Sequence, residues 1–477
     1  MTGFVKRPKG LRQAVFSGER EMSTTSTMNV QTTTGKDAPW YQEAFEAFEK
    51  RLNGSSGTPL HSLRRAAFRH FAQVGFPSAK DEEWRFTNIV PITRTRFHLA
   101  FSPSPEAIRT WAEERWALTG VRSHRLVFID GHYVPSLSRL LGIPEGVFLG
   151  GLADAIKLGI PEVHLHLAQL AQYQVGPFTA LNTAFMQDGA CVIVPDGVIL
   201  PDPVHLLFFS SQTLEPSVAQ PRNLIVSGRQ AKLTVVEEYA GHPGATYLTN
   251  AVTELVAGPG AAIEHDRVQE ESLAAYHIGS TSVRMLEGSK LTSNSVSLGG
   301  AISRNNVTVV FAAEGGECTL NGLSLSSGQQ IMDNHTAIDH AHAHCESHEL
   351  YKAILDGESR GIFNGKILVR KDAQKTDAKQ TNKSLLLSGK ATIDTKPQLE
   401  IFADDVKCTH GATVGQLDEE QVFYLRTRGI GEAEARDVLT FAFAGDIIGR
   451  MHIEALHRKL ETQIRARLRQ GHLSTGE

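Results

Sequence analysis

The sequence predicts a mainly β protein in which a parallel β-helix is flanked by an N-terminal helical domain and a C-terminal helical domain. The first observation is a repeat: between about residues 223 and 402, six segments share an apolar run, a glycine and a second apolar or alternating run. The six glycines, separated by steps of 30, 30, 27, 42 and 32 residues, are Gly228, Gly258, Gly288, Gly315, Gly357 and Gly389. A period of about 30 residues with glycine at each sharp turn is typical of stacked coils.

The second observation is the composition of these runs, which are rich in Val, Ile, Leu, Thr and Ser and are too short for helices. No helical stretch separates them, which argues against alternating strands and helices. An antiparallel β-sandwich also has short strands, but the regular glycine spacing favours a solenoid. We therefore expect the β-helix to span residues 190–415, beginning at Cys191 and ending near Gly415.

The region before the repeat has a different pattern. Residues 1–38 are polar and of low complexity, which predicts a disordered tail or a true start at Met22. Residues 39–185 are predicted to be mostly helical, with helices over 40–52 and 60–74, helical patches near 105–118 and 151–155, and a hairpin in 125–134. The charged, turn-rich stretch 76–88 is expected to be a loop that packs Trp84 onto this domain rather than a catalytic segment.

Helical periodicity returns at residues 416–477. Asp418 is positioned to cap a helix over 419–428, which Gly429 would end. Residues 432–469 are then predicted to form one or two further helices.

Composition excludes several classes of function. A chain of 477 residues with 41% hydrophobic residues and a net charge of −4 is ordinary for a globular protein and unsuited to general nucleic-acid binding. No apolar run is long enough to span a membrane. The four cysteines are far apart, which argues against a zinc finger or a disulfide framework and predicts a reducing, cytoplasmic location. A complete P-loop and a nucleophile elbow are both absent from the sequence.

A histidine-rich stretch, residues 333–348, is one candidate for chemistry. If it is a strand, His340, His342 and His344 point to one face, and the Cys345 thiol is adjacent. Three imidazoles and a thiol could bind zinc or iron. The alternative is an exposed polar strand edge or a pairing surface. We interpret the stretch as an insert that accounts for the 42-residue step.

The second candidate is the pair Cys408 and His410. Residues two apart on a strand share one face, so a thiolate and an imidazole could hold a soft metal or act together as a nucleophile. Two ligands do not complete a site, so further ligands would have to come from elsewhere, such as another chain. The alternative is a buried cysteine and a hydrogen-bonded histidine in the last coil.

The residues around this pair resemble a known family. The run from Asp394 to Gly415, followed by Phe423-Tyr-Leu-Arg-Thr-Arg-Gly-Ile430, closely resembles the SufD family of iron–sulfur cluster assembly proteins. Residues 76–87 resemble that family's N-terminal motif, and the likeness covers about residues 37–460. The paralogous SufB chains typically have Glu where this chain has Gly411 and Cys where it has Leu425, which favours SufD.

The resemblance implies a right-handed parallel β-helix in a non-catalytic subunit that pairs with a SufB-like paralogue and a SufC-like ATPase, with self-association as an option for the isolated chain. It implies that Cys408 and His410 lie at the paralogue interface and contact a transient iron–sulfur cluster or iron, with no tightly bound cofactor in the isolated chain. The C-terminal helices would dock the ATPase, through residues that include Phe423, Tyr424, Arg428 and Phe441.

Two expectations and two alternatives accompany this reading. Deleting residues 418–477 should remove ATPase binding and leave the β-helix folded. Neither nucleic acid nor a membrane is expected as a partner. One alternative function is a β-helix polysaccharide hydrolase or lyase using Asp404 and Asp405, although adjacent acids on a strand would point to opposite faces. The other alternative is a structural scaffold without metal.

Overall fold

The structure is a computed structural model that describes residues 40–52, 57–99, 120–211 and 214–473. The tail predicted for residues 1–38 and the helical patch predicted near 105–118 lie outside these ranges. The centre of the protein is a parallel β-helix of two sheets, as the glycine repeat predicts. The antiparallel sandwich is wrong, because every pairing between successive coils is parallel.

The chain passes alternately through two sheets, called sheet A and sheet B. Sheet A consists of β1 (His98–Leu99), β4 (Phe148–Gly151), β5 (Ala190–Val194), β7 (Ser217–Ala219), β8 (Arg222–Ser227), β10 (Tyr247–Ala257), β12 (Tyr276–Met285), β14 (Ile302–Phe311), β16 (Ile331–His340), β18 (Arg360–Val369) and β20 (Thr392–Ile401). Sheet B consists of β2 (His124–Ile129), β3 (His132–Tyr133), β6 (Val204–Ser210), β9 (Lys232–Gly241), β11 (Ala262–Gln269), β13 (Lys290–Ser297), β15 (Glu317–Ser326), β17 (Glu346–Leu355), β19 (Asp377–Leu386) and β21 (Lys407–Gly415).

The register is continuous from coil to coil, so equivalent side chains stack in ladders. One inward ladder of sheet B runs Leu233, Ile263, Leu291, Cys318, Ser347, Ala378 and Cys408. The first of these side chains are buried against inward residues of sheet A such as Val283, Val309 and Ile338. The ladder therefore places the core between the two sheets and follows it to the last coil.

The turns explain the irregular step in the glycine repeat. A residue with left-handed backbone lies two positions before each of six sheet B strands, namely Gln230, Gly260, Gly288, Gly315, His344 and Lys375. All six predicted glycines lie in turns, but Gly357 and Gly389 belong to the opposite turn, which leads into sheet A. The 42-residue step thus crosses from one turn to the other. Residues 333–348 are a regular coil, and their interpretation as an insert is wrong.

The N-terminal region packs on the first coils and extends both sheets. Its helices are α1 (Trp40–Arg51), α2 (Pro59–Val74), α3 (Val90–Arg94), α4 (Leu152–Leu158), α5 (Pro161–His166) and α6 (Pro177–Phe185). The predicted hairpin is confirmed as β2–β3, with Asp130 and Gly131 both at positive φ in its turn. Since β2 also pairs in parallel with β6, sheet B begins well before Cys191, in a region predicted to be mostly helical.

Three helices follow the solenoid, α7 (Glu419–Thr427), α8 (Glu432–Ile448) and α9 (Glu454–Leu473), and α8 and α9 cover the outer face of sheet B. Asp418 caps α7 as predicted, accepting a hydrogen bond from the Glu420 N–H. The buried contact between helices and sheet includes Val268, Val296, Leu323, Ile354, Ile447, Leu456, Leu460 and Ile464. Deleting residues 418–477 would expose this apolar surface to water, which should lower the stability of the β-helix, so its folding without these helices stays a prediction. Among the described helices, none is long and apolar enough to cross a membrane.

Candidate functional site at the last coil

The last coil has open strand edges. Within the described residues, β20 pairs only with β18 and β21 pairs only with β19, so each has one unpaired side. Both are long strands, of ten and nine residues, and most of their side chains are half-buried or exposed. A long edge with free N–H and C=O groups is a template for pairing with another chain.

Cys408 and His410 lie on β21, and their side chains point into the interior of the solenoid at its open end. Cys408 is opposite Ala378, and His410 is opposite Gln380. Their shared face is therefore as predicted, and Lys407 lies on the opposite face. Cys408 is half-buried beside Ala378, Ala403 and Val406, whereas His410 is exposed. A further coil stacked on β21 would enclose both side chains.

The electrostatic surroundings keep the Cys408 thiol protonated in the isolated chain. Partial burial raises its pKa, an effect that the Ala378 backbone N–H opposes and the Asp377 carboxylate reinforces. Since the thiolate is the metal-binding form, iron or a partner's cation would have to displace the proton.

A buried polar row lies behind His410. On the preceding coil, the Gln380 amide donates a hydrogen bond of 2.7 Å to Glu349, whose side chain is fully enclosed. Burial raises the pKa of Glu349 to about 7, although the hydrogen bonds from Gln380 and Thr336 oppose the shift. The carboxyl is thus poised to gain or lose a proton near neutral pH, one coil further inside than Gln380.

The histidine-rich stretch does not form a common face. His340 ends β16 in the interior, stacked against Phe311 and hydrogen-bonded to the Ser347 hydroxyl at 2.9 Å. Burial lowers its pKa to about 4, so it is neutral. His342 and His344 lie exposed in the following turn rather than on a strand. The predicted shared face is wrong for these two residues, because the strand ends at His340.

Cys345 is turned away from these exposed imidazoles. Its thiol is buried, 3.5 Å from the Ala313 carbonyl and 3.4 Å from the Ala343 carbonyl, and burial raises its pKa. Across the described ranges, no group of three or more His, Cys, Asp or Glu side chains is arranged to hold a metal ion. Any cluster site at the last coil would therefore draw ligands from a partner.

The alternative hydrolase function placed its two acids on a strand. The structure places them in a turn instead. Asp404 and Asp405 are exposed between β20 and β21. The Asp405 carboxylate forms an ion pair with Lys375, and its backbone N–H donates to the Gln374 side chain at 2.9 Å. Asp405 thus stabilises the turn, and the two adjacent acids do not form a pair of facing carboxylates.

The predicted partner-binding residues differ in accessibility. Phe423 and Tyr424 on α7 are 66% and 57% exposed, which is unusual for large apolar side chains. Arg428 stacks on the Tyr424 ring and donates to its hydroxyl at 3.1 Å. Phe441 on α8 is half-buried, with the Arg465 guanidinium 3.6 Å from its ring centroid. Three of the four residues thus form an exposed aromatic surface, and Phe441 packs within the helical region.

One arrangement was not predicted: residues 82–87, called the strap, cross the outer face of sheet A. Trp84 packs on Phe178, which is the predicted contact with the N-terminal region. Its ring centroid also lies 3.8 Å from the guanidinium carbon of Arg304 on β14. Glu83 contacts His335 of β16 at 3.1 Å, and Glu82 pairs with Lys396 of β20. The strap therefore connects the inner coils to the last coil.

The strap's ion pairs are partly buried and mutually dependent. Asp333 accepts hydrogen bonds from Arg304 at 2.9 Å and from the Thr87 hydroxyl. Burial opposes ionisation of Asp333, but Arg304 and His335 outweigh it and lower its pKa to about 2. Burial likewise opposes protonation of His335, but Asp333 and Glu83 raise its pKa. Glu83 and Thr87 of the strap lie about 250 residues from His335 and Asp333 in the sequence, so no local pattern predicts these contacts.

The fold and the last coil together define a β-helix protein whose end is open to a further coil. Comparison with known proteins agrees with that class. Residues 36–206 match the description "SufBD protein N-terminal region", and residues 208–443 match "SUF system FeS cluster assembly, SufBD core domain". The chain belongs to the SufBD family.

Curated relatives cover nearly the whole chain. An iron–sulfur cluster assembly SufBD family protein of Synechocystis sp. is 33% identical over 87% of this chain and 93% of its own length. The iron–sulfur cluster assembly protein SufD of Escherichia coli is 31% identical over 87% of this chain and 94% of its own. The chloroplastic protein ABCI7 of Arabidopsis thaliana is 31% identical over 89% and 90%.

Proposed function

We propose that this chain is a SufD-like, non-catalytic subunit in iron–sulfur cluster assembly. Its last coil pairs with a SufB-like paralogue, and its C-terminal helices dock a SufC-like ATPase. The observation that carries the proposal is the open end of the solenoid, where β20 and β21 each have one unpaired side and β21 presents Cys408 and His410 inward. The relatives named for cluster assembly and the family match support the same role.

The arrangement suits a shared, transient ligand site. A partner strand added to β21 would pair its free backbone groups and enclose the two inward side chains. Thiolate and imidazole are suitable iron ligands, and two more ligands from the partner would complete a four-ligand set. Because two ligands do not complete a site and the isolated thiol has a raised pKa, loading would be favoured when the partner is in place.

The test is a double variant, Cys408→Ser with His410→Ala, co-expressed with the SufB-like chain and the SufC-like ATPase. After anaerobic reconstitution with ferrous iron and sulfide, we expect iron per complex to fall severalfold, with complex yield and thermal midpoint nearly unchanged. An unchanged iron content would overturn the proposed ligand role. A complex that no longer forms would instead assign the pair to packing at the interface.

The matched control is the other histidine-rich group. Cys345→Ser and the double variant His342→Ala with His344→Ala remove the same functional groups away from the last coil. We expect neither to lower iron per complex, since these side chains are not brought together. Loss of iron in either control would favour that group as the metal site.

ATPase docking is tested by Phe423→Ala with Tyr424→Ala in the full chain. Truncating two exposed rings should weaken capture of the ATPase by about tenfold or more, as for aromatic residues at an interface centre, and leave the thermal midpoint unchanged. Leu214→Ala removes a still more exposed apolar side chain elsewhere, at 96% exposure, and should leave capture unchanged. Undiminished capture by the double variant would place the docking surface elsewhere.

A further inference from the structure

A cavity of about 290 Å³ lies between the N-terminal region and the outer face of sheet A, and its floor extends as far as Gln398 of β20. It opens beside the strap, and its walls come from three elements that are distant in sequence. Trp84 belongs to the strap, Val175 precedes α6, Phe178 belongs to the first turn of α6, and Thr308 belongs to β14. The volume is at the lower end of the range for small-molecule sites.

The two sides of the cavity differ in chemistry. One side is apolar and aromatic, formed by Trp84, Val175 and Phe178. The indole is fixed in place, because Phe178 packs on it and Arg304 stacks on it. A planar apolar group could lie against this side without rearranging it.

The floor is polar and rich in donors. Ser282, Thr308, Lys366 and Gln398 occupy one outward ladder on successive sheet A strands, interrupted only by Ala337. Throughout the part of the chain that the structure describes, the Ser282, Thr308 and Gln398 side chains make no hydrogen bond to protein. These groups are therefore available to a ligand.

The lining has more cationic than acidic side chains. Glu83 is the one carboxylate that lines the cavity among the described residues, against Arg304, His335 and Lys366. Glu83 and the buried Asp333 already engage Arg304 and His335. The Lys366 ammonium pairs with Glu400 at 2.8 Å, and because both are more than 40% exposed this contact is exchangeable. The uncapped first turn of α6 adds backbone N–H groups that favour an anion.

We propose that this cavity binds a small organic anion, one carboxylate or phosphate on a planar apolar body. The apolar body lies against Trp84 and Phe178. The anionic group lies over the floor, where the Lys366 ammonium and the Thr308 hydroxyl donate to it. This site is distinct from the Cys408 and His410 pair, because none of its lining residues belongs to β21.

The test uses two probes with nearly the same body, anilinonaphthalene sulfonate, which is anionic, and phenylnaphthylamine, which is neutral. In fluorescence titrations of the full chain, we expect one sulfonate bound per chain and binding of the neutral probe about tenfold weaker, the difference expected for one charge-assisted contact. Equal affinity for the two probes, or no saturable binding of the sulfonate, would overturn the proposal.

Three variants locate the site. Lys366→Met should weaken the sulfonate about tenfold and leave the neutral probe unchanged, whereas Lys390→Met, which removes a lysine paired with Glu358 outside the cavity, should change neither. Thr308→Trp fills the floor and should abolish both, with the thermal midpoint measured on the same sample. If Thr308→Trp unfolds the chain, the Lys366→Met comparison decides alone. Sulfonate binding that survives both variants would place the probe elsewhere and refute the site.

Discussion

The inner coils and the last coil of the solenoid have the same two-strand plan, yet they meet different surroundings. Phe311, at the end of β14, is fully buried between sheets whose strands pair on both sides. Phe402, just after β20, is 64% exposed, next to a strand that pairs on one side. The fold repeats the backbone geometry, but only neighbouring coils supply burial and complete the pairing. The coil without an outer neighbour is therefore the natural place for association.

The largest test of this comparison uses one substitution at two sites. Phe311→Ala should lower the free energy of unfolding by about 3–5 kcal/mol, because it leaves a cavity in a packed interior. Phe402→Ala should change it by less than about 0.5 kcal/mol, because the ring is already in contact with water. Urea denaturation followed by circular dichroism measures both values.

The two substitutions should have the opposite order of effect on binding to the paralogue. Phe402→Ala is expected to weaken association with the paralogue, since an exposed aromatic ring beside an open edge is a typical interface residue. If Phe402→Ala destabilises the isolated chain as much as Phe311→Ala does, the last coil is as closed as the inner ones and the comparison fails.

Much of the fold could be predicted from the sequence, because the repeat is local. Short apolar runs separated by turns occur within about 30 residues of each other, and each coil contacts the next. What could not be predicted is which turn each glycine serves. His344 and Lys375 occupy the left-handed position that Gly288 and Gly315 occupy in earlier coils. The glycine spacing therefore suggested an insert where the coil is regular.

The candidate site was predictable in part for the same reason. The shared face of Cys408 and His410 follows from strand periodicity alone. That this face points inward depends on the register of six preceding strands. The contact of Glu83 with His335 spans 252 residues and follows from no local pattern. Side-chain contacts between distant elements require the tertiary fold.

The strap gives a second, smaller test, because it connects inner coils to the last one. The ordinary pKa of His335 is lower than its folded-state pKa, which Asp333 and Glu83 raise against the effect of burial. Its contribution to stability is therefore complete below the ordinary value and is lost as the pH rises through the folded-state value. We expect a loss on the order of 1 kcal/mol, the usual net value of a single intramolecular hydrogen bond.

Hydrogen exchange locates this loss. Raising the pH through that window should lower the protection of backbone amides against exchange more in β20 than in β14, after correction for the intrinsic exchange rate. The reason is that Glu82 of the strap contacts β20 through Lys396. His335→Gln should remove the pH dependence, since the amide cannot take a charge, whereas His348→Gln on sheet B should retain it. Asp333 does not confound the measurement, because its pKa of about 2 keeps it ionised throughout. Equal changes in β14 and β20 would contradict a role for the strap at the last coil.

The smallest test compares the turns that precede strands of sheet B. His344 has φ of 57°, a conformation that costs a residue with a side chain about 1 kcal/mol more than glycine. His344→Gly should therefore stabilise the chain by about 0.5 kcal/mol, the relieved strain less the added freedom of the unfolded chain, and Lys375→Gly should gain less because it also loses the Asp405 ion pair. Asp405 occupies the equivalent position before β21, two residues ahead of Lys407, but it is not among the residues with positive φ.

Asp405→Gly should consequently bring no gain and cost about 0.5 kcal/mol through the added freedom of the unfolded chain. Opposite signs for His344→Gly and Asp405→Gly, measured by denaturant unfolding of the isolated chain, would show that the last turn departs from the repeat. Stabilisation by both would mean that the last coil follows the inner turns in solution. The distinctive features of this coil would then be confined to its unpaired edges.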